Sequence, residues 1–309
     1  MPSPNTCSFQ RLAALAAVTI LAAACQSDRA TSPLLPRDAS LVAAAPTQKA
    51  PRLTIADVVM SATPMTLGGG ATLYQITISN PGSVDATGIS IRSDVDQGHG
   101  ITRAGGSADA KCNGGPAGVV PPGQCTMVLG ARADNAASGT GTFVPGTAKI
   151  TISVNQSDGT TTKQLDSKTF KASIVAETHT GPYMSDVLPS FSSLRIGDVN
   201  NQPSYAVAVY NPTSSDQSLY GVQAYVKQGT SIHGAGGSDA NCFFNAANPG
   251  TIPPGSCIFG FTTSASTVDG APGPLVAGAA IWRLEFFYYD GVTTSTLSAR
   301  EFNITLTGP

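Results

Sequence analysis

Apolar and polar residues alternate with a period of two over short stretches, and helical runs of Glu, Lys and Leu are missing after residue 25. Tyr74, Ile76 and Ile78 alternate with polar neighbours, as do Tyr205, Val207 and Val209. Ile89 and Ile91, then Ile150, Ile152 and Val154, keep the same period. A period of two turns one face of a strand into a core and leaves the other in water. Asn80-Pro81-Gly82 and Asn211-Pro212 stop their strands. Asp158-Gly159 and Asp290-Gly291 mark hairpin turns, because both residue types tolerate positive φ. The pattern predicts many short strands between Gly- and Pro-rich turns, an all-β chain.

The strands come in two sets. "LYQITISNPGS" (73–83) falls on "SYAVAVYNPTS" (204–214), and "QGHGITRAGGSADAKC" (97–112) falls on "QGTSIHGAGGSDANC" (228–242) with one deletion. "VPPGQCTMVLGA" (120–131) falls on "IPPGSCIFGFTT" (252–263), and "ITISVNQSDGTTT" (150–162) is laid on "LEFFYYDGVTTST" (284–296). Four matching blocks in one order indicate a duplication. They predict two tandem immunoglobulin-like antiparallel β-sandwiches, over 51–178 and 179–309.

Cysteine usage sharpens that picture. Of six cysteines, Cys7 and Cys25 precede the repeats, leaving Cys112, Cys125, Cys242 and Cys257. Four cysteines allow three connectivities, and the repeated motif selects Cys112–Cys125 and Cys242–Cys257. Each bridge would pin the loop before a strand to the strand itself and stabilise by about 2–4 kcal/mol. Buried free thiols are the alternative. A zinc site would need paired CxxC-like spacings, which are absent, so no metal is expected. The antibody bridge spans a longer stretch and packs on a buried Trp; Trp282, the sole Trp, occurs in one unit alone.

The N-terminus reads "MPSPNTCSFQRLAALAAVTILAAAC". Arg11 supplies a positive start, Leu12 to Ala24 is an apolar run of signal-peptide length, and small residues lead to Cys25. This resembles a bacterial lipoprotein signal peptide (1–24), which implies lipid on Cys25 and a membrane partner through that anchor. The resemblance departs at Ala22, where the family usually has Leu; plain cleavage near Ala24, giving a secreted protein, is the alternative. Gln26 and Ser27 imply, by the same resemblance, sorting to the outer membrane. Residues 25–50, with several prolines and no periodicity, suit a flexible tether. An exported compartment permits disulfides.

Charged residues make up only 12% of the 309-residue chain, with 17 Lys and Arg against 19 Asp and Glu and no basic cluster, so nucleic acid is not an expected partner. His99, His179 and His233 are expected as loop histidines, since His99 and His233 fall three columns apart in the repeat. No nucleophile elbow, HExxH or SxxK motif stands in a convincing context, so no enzyme and no cofactor are expected. Gly68-Gly69-Gly70 reads as a turn, and Asp94 and Asp96 as a solvated turn rather than a calcium site, because the second unit lacks both acids. The repeated Gly105-Gly106-Ser107 and Gly236-Gly237-Ser238 are candidate binding loops or structural turns. "FFYYDG" (286–291) places a Phe/Tyr pair on each strand face, one for the core, the other for a sugar or partner platform or for interdomain packing.

"NPGSVDATG" (80–88) after a strand resembles bacterial surface immunoglobulin-like repeats of the DUF11 and CARDB type, and "PPGQC" and "PPGSC" resemble a stretch of ASH-like and choice-of-anchor sandwich repeats. The resemblance is clearer over 51–178 than over 179–309, where "DQSLYGVQAYV" replaces "DATGISI". It implies a non-catalytic, adhesive or scaffolding surface module with a protein or glycan ligand. Carbohydrate binding is the alternative function, and a secreted enzyme a more distant one.

Overall fold

The computed structural model describes residues 52–98, 101–112, 115–133, 139–140, 142–198, 200–239, 250–265, 270–271 and 273–308. They fall in one compact unit, 49–309, which is all-β. Its strands are β1 (Thr54–Met60), β2 (Met65–Thr66), β3 (Thr72–Asn80), β4 (Ala86–Thr87), β5 (Ile89–Asp96), β6 (Ile101–Asp109) and β7 (Val119–Val120). There follow β8 (Gly123–Ala131), β9 (Gly139–Thr140), β10 (Gly146–Ser157), β11 (Thr162–Val175), β12 (Tyr183–Pro189), β13 (Ser193–Arg195) and β14 (Ser204–Asn211). The last are β15 (Tyr220–Gln228), β16 (Ser231–Asp239), β17 (Gly255–Thr262), β18 (Gly270–Ala271), β19 (Gly278–Tyr289) and β20 (Thr294–Thr307).

One arrangement occurs twice. A three-stranded sheet β1-β3-β8 accompanies a six-stranded sheet β2-β11-β10-β5-β6-β9, and β12-β14-β17 accompanies β13-β20-β19-β15-β16-β18. No sheet mixes strands from before Val175 with strands from after Tyr183. In each pair the inward residues of both sheets meet in one core. Ile76 and Ile78 of β3 join Ile91, Ile150 and Ile152 in the first; Val207 and Val209 of β14 join Val222, Trp282 and Leu284 in the second. These are the alternating residues of the sequence, and burial of each contributes about 1.5–3 kcal/mol.

The repeat extends to side chains at the turns. Asn80 Nδ2 donates to Val84 and Val120 carbonyls, and Asn211 Nδ2 donates to those of Ser215 and Ile252. The Asn thus ties its strand end to the segment before the next repeated cysteine. At the hairpins, only Gly159 and Gly291 take positive φ (91° and 95°). Asp158 and Asp290 serve instead as caps, each accepting two backbone N–H groups at 2.6–2.9 Å. Those amides, with the threonine hydroxyls, hold the Asp158 carboxyl far below the ordinary carboxylate range.

The sequence alignment needs one correction. Ile91 pairs with Val154 and Val222 with Phe286, so Ile150 corresponds to Trp282, not to Leu284. The block 150–162 therefore falls on 282–294. The two-residue slip preserved the alternation of strand faces, which is why periodicity alone did not expose it.

Candidate functional site

Cys112 and Cys125 form a disulfide with Cα atoms 5.3 Å apart, joining the segment after β6 to the start of β8. Cys257, at the matching place in β17, is also disulfide-bonded. Its expected partner Cys242, the lipidation candidate Cys25, and His99 lie outside the described residues.

The glycine-rich candidate loops are strand segments. Gly105, Gly106 and Ser107 lie within β6, and Gly236, Gly237 and Ser238 within β16. Both sites are register shifts: Arg92 faces Ser107 while Asp94 faces Arg103, and Ala224 faces Gly236 while Tyr225 faces Gly234. Gly236 takes φ +116°, and a Cβ on Gly237 would stand 2.4 Å from Gln223. Gly236 and Gly237 are needed because a bulge bends the chain where a side chain would collide. A loop and a bulge make the same demand on the sequence, so composition did not separate them.

The histidines take different places. His233 is buried on β16, with Nε2 2.8 Å from the Gly273 carbonyl. His179 lies between β11 and β12, stacks on Tyr183 with ring centroids 3.6 Å apart, and places Nδ1 2.8 Å from Glu177. Burial alone would raise the Glu177 carboxyl, but hydrogen bonds from Tyr183 and His179 outweigh it and hold the group below its ordinary value. Asp94 is ion-paired with Arg92, and Asp96 accepts the Gly98 amide. Among the described residues no group of three His, Cys, Asp or Glu side chains is placed to hold a metal.

The densest polar construction is a joint between the two sheet pairs, which sequence reading missed. Asp186 sits at a bulge of β12 and is fully buried. Its carboxylate accepts Leu73 N–H at 2.6 Å, Ser61 Oγ–H at 2.8 Å and Val187 N–H at 2.8 Å. Burial pushes the carboxyl up, against the pull of hydrogen bonds from Leu73, Thr63, Ser61 and Val187; no charged group is among these partners. Beside it, Ala71, Leu73 and Val128 of the first pair pack on Leu188, Ala206 and Ala208 of the second.

Gly68-Gly69-Gly70 completes the joint. Tyr210 OH donates to the Gly68 carbonyl at 2.8 Å, and Ser256 Oγ donates to that of Gly69 at 2.5 Å. A Cβ on Gly69 would fall 1.9 Å from the Tyr210 ring, and one on Gly70 would stand 2.7 Å from Tyr183 OH. Three glycines in a row let tyrosines from the second pair lie directly on first-pair backbone. The turn read from sequence is therefore also a seat.

The outer aromatic pair of "FFYYDG" faces away from this joint. Phe286 is buried in the second core, whereas Phe287 lies across Gly221, where a Cβ would meet its ring at 2.3 Å. Tyr289 is exposed, its hydroxyl donating to the Gly291 carbonyl.

No family model and no curated protein matches the chain. Among solved structures, red sea bream transglutaminase is similar over 83% of this chain at 10% identity, with a TM-score of 0.24. This chain spans 31% of that enzyme's length, and so faint a likeness carries no argument about activity.

Proposed function

We propose that the chain is an exported, lipid-anchored, non-catalytic protein of the cell envelope, whose two immunoglobulin-like β-sandwiches act together as a binding or scaffolding body. The observation that carries this reading is the joint. A fully buried carboxylate, a glycine seat and an apolar seam hold two sheet pairs as one unit, as suits a spacer or a composite binding surface. The Cys112–Cys125 bridge supports an oxidising compartment. Metabolic labelling of the full chain in a diderm bacterial host with an alkyne fatty acid tests the anchor. Label is expected in the membrane fraction and is lost in Cys25→Ala; an unlabelled or cytosolic wild-type chain contradicts the reading.

One observation favours carbohydrate binding as the ligand chemistry. Phe287 lies across Gly221 on the outer face of the six-stranded sheet, with Gln223 and Tyr225 further along the same face of β15. A flat ring flanked by amide and hydroxyl groups suits a sugar face. Binding to a glycan array that disappears in Phe287→Ala would support it, and binding that survives the change would remove it.

A further inference from the structure

We propose that a cleft at the joint binds a small organic carboxylate, with Arg132 as the cation that receives it. The cleft has a volume of about 250 Å³, roughly the share of eight liquid waters. Ile91 and Leu129 of the first pair and Ile258 of the second supply apolar walls, and Arg132, immediately after β8, brings the only charge among the described lining residues.

Arg132 is partly buried, yet among the described residues it makes no ion pair and no hydrogen bond. Arg92, on β5 of the accompanying sheet, is already paired with Asp94. A guanidinium presents five donors in a planar fork that matches a carboxylate. Here that fork is held beside apolar walls with no acceptor among the described residues. The hydroxyls of Tyr74 and Ser93, hydrogen-bonded to each other, border the same space. Burial pushes the Tyr74 phenol up to about 12, so it stays neutral and does not repel an anion.

The second pair fills two of the same columns with larger side chains, Trp282 and Thr263. Tyr74 corresponds to Tyr205, Ser93 to Ala224, Ala131 to Thr263, Arg132 to Ser264 and Ile150 to Trp282. There the indole of Trp282 stands 4.8 Å from the Tyr205 ring and donates to Thr263 Oγ1 at 3.0 Å, and Thr263 in turn donates to the Ala235 carbonyl. All of these groups are buried. The first pair has a smaller Ile in place of the indole and Ala131 in place of the Thr263 hydroxyl, followed by the cation Arg132 where the second pair has Ser264.

The joint closes the cleft. Gly130 lets Ile258 approach, since a Cβ there would meet Ile258 Cδ1 at 2.6 Å, and Ser256 adds a hydroxyl from the second pair. One cation, neighbouring hydroxyls and apolar walls on both sides define a ligand with one carboxylate and a compact apolar or ring body. This inference does not rest on the envelope reading and stands or falls separately from it.

Isothermal titration of the full chain with benzoate and glucuronate tests it, with benzamide and inorganic phosphate as further arms. Saturable binding of benzoate or glucuronate is expected, with little of benzamide or phosphate. Arg132→Gln should weaken it by roughly tenfold or more, the loss of a charge-assisted pair, and Arg132→Lys should fall between. Arg132 is outside the strands, and unchanged thermal melts would verify that the substitution leaves the fold intact. The proposal is overturned if neither carboxylate binds, if Arg132→Gln binds as well as wild type, or if benzamide or phosphate binds equally tightly.

Discussion

Asp57 and Asp186 stand at the same bulge of equivalent strands, yet one faces solvent and the other is sealed in the joint. The surrounding columns follow suit. Val59 is 46% exposed where Leu188 is 8% exposed. Gln75 and Thr77 occupy the outer face of β3, where β14 carries Ala206 and Ala208. The inward columns hardly differ in character, being apolar in both cores. Duplication thus kept the residues that build a sheet pair and changed the outer face that decides whether it docks. Small apolar residues permit sheet faces to approach, and polar ones keep a face in water. The first pair docks through one end of that face, at Leu73 and Val128, and is polar at Gln75 and Thr77 beyond it, where the second pair is apolar, which disfavours indefinite stacking through the same contact.

Substitutions can break that comparison, beginning with the bridge both halves share in plan. Cys125→Ser should lower the stability of the full chain by about 3 kcal/mol, read by urea unfolding under non-reducing conditions. A loss near zero would mean that the bridge does not constrain the first pair.

The two bulge aspartates should then separate. Asp186→Asn should cost about 2–3 kcal/mol, because a buried donor then meets donors. Asp57→Asn should fall within about 0.5 kcal/mol of wild type, and equal effects would erase the distinction between the docked and free faces. The pH dependence has a definite sign. Burial raises the folded Asp186 carboxyl above its unfolded value, so its favourable contribution is complete below the unfolded value and is lost as pH rises through the folded one. Wild type should therefore gain stability relative to Asp186→Asn as pH is lowered from neutrality towards about 4. A difference that stays flat, or shrinks, would contradict the burial.

Gly69→Ala should cost about 1–2 kcal/mol through the clash with Tyr210 and should loosen the joint more than either core. Faster proteolysis between Val175 and Tyr183 would report that loosening. The smallest expected effect is a gain. Tyr205 OH is buried without a hydrogen-bond partner, because Ala224 stands where the first pair has Ser93. Ala224→Ser should restore the missing bond and add about 1 kcal/mol; destabilisation would show that the Tyr205 column has no room for the hydroxyl.

What could be read in advance follows the range of the forces involved. Alternation at Tyr74, Ile76 and Ile78, the Asn80 and Asn211 strand ends and the two Asp-Gly turns are local, and each predicted its element. The Cys112–Cys125 pairing was also legible, because a repeated motif restricts connectivity. Asp186 was not, since nothing within a few residues of it says that its strand face meets a second sheet. Gly69 looked like any turn glycine until Tyr210, 141 positions away, was seen lying on it. Arg132 carries no motif, and it stands out only beside Ser264, its counterpart in the other half.

The most direct test is amide hydrogen exchange at Leu73, whose N–H points out of the first pair to Asp186. If the two pairs are locked through that carboxylate, the Leu73 amide exchanges as slowly as the amides of the β3 core, and Asp186→Ala speeds it selectively. Exchange at Leu73 near the unprotected rate in the wild-type chain, with the rest of β3 still protected, would mean that the joint is open in solution and the two pairs move independently.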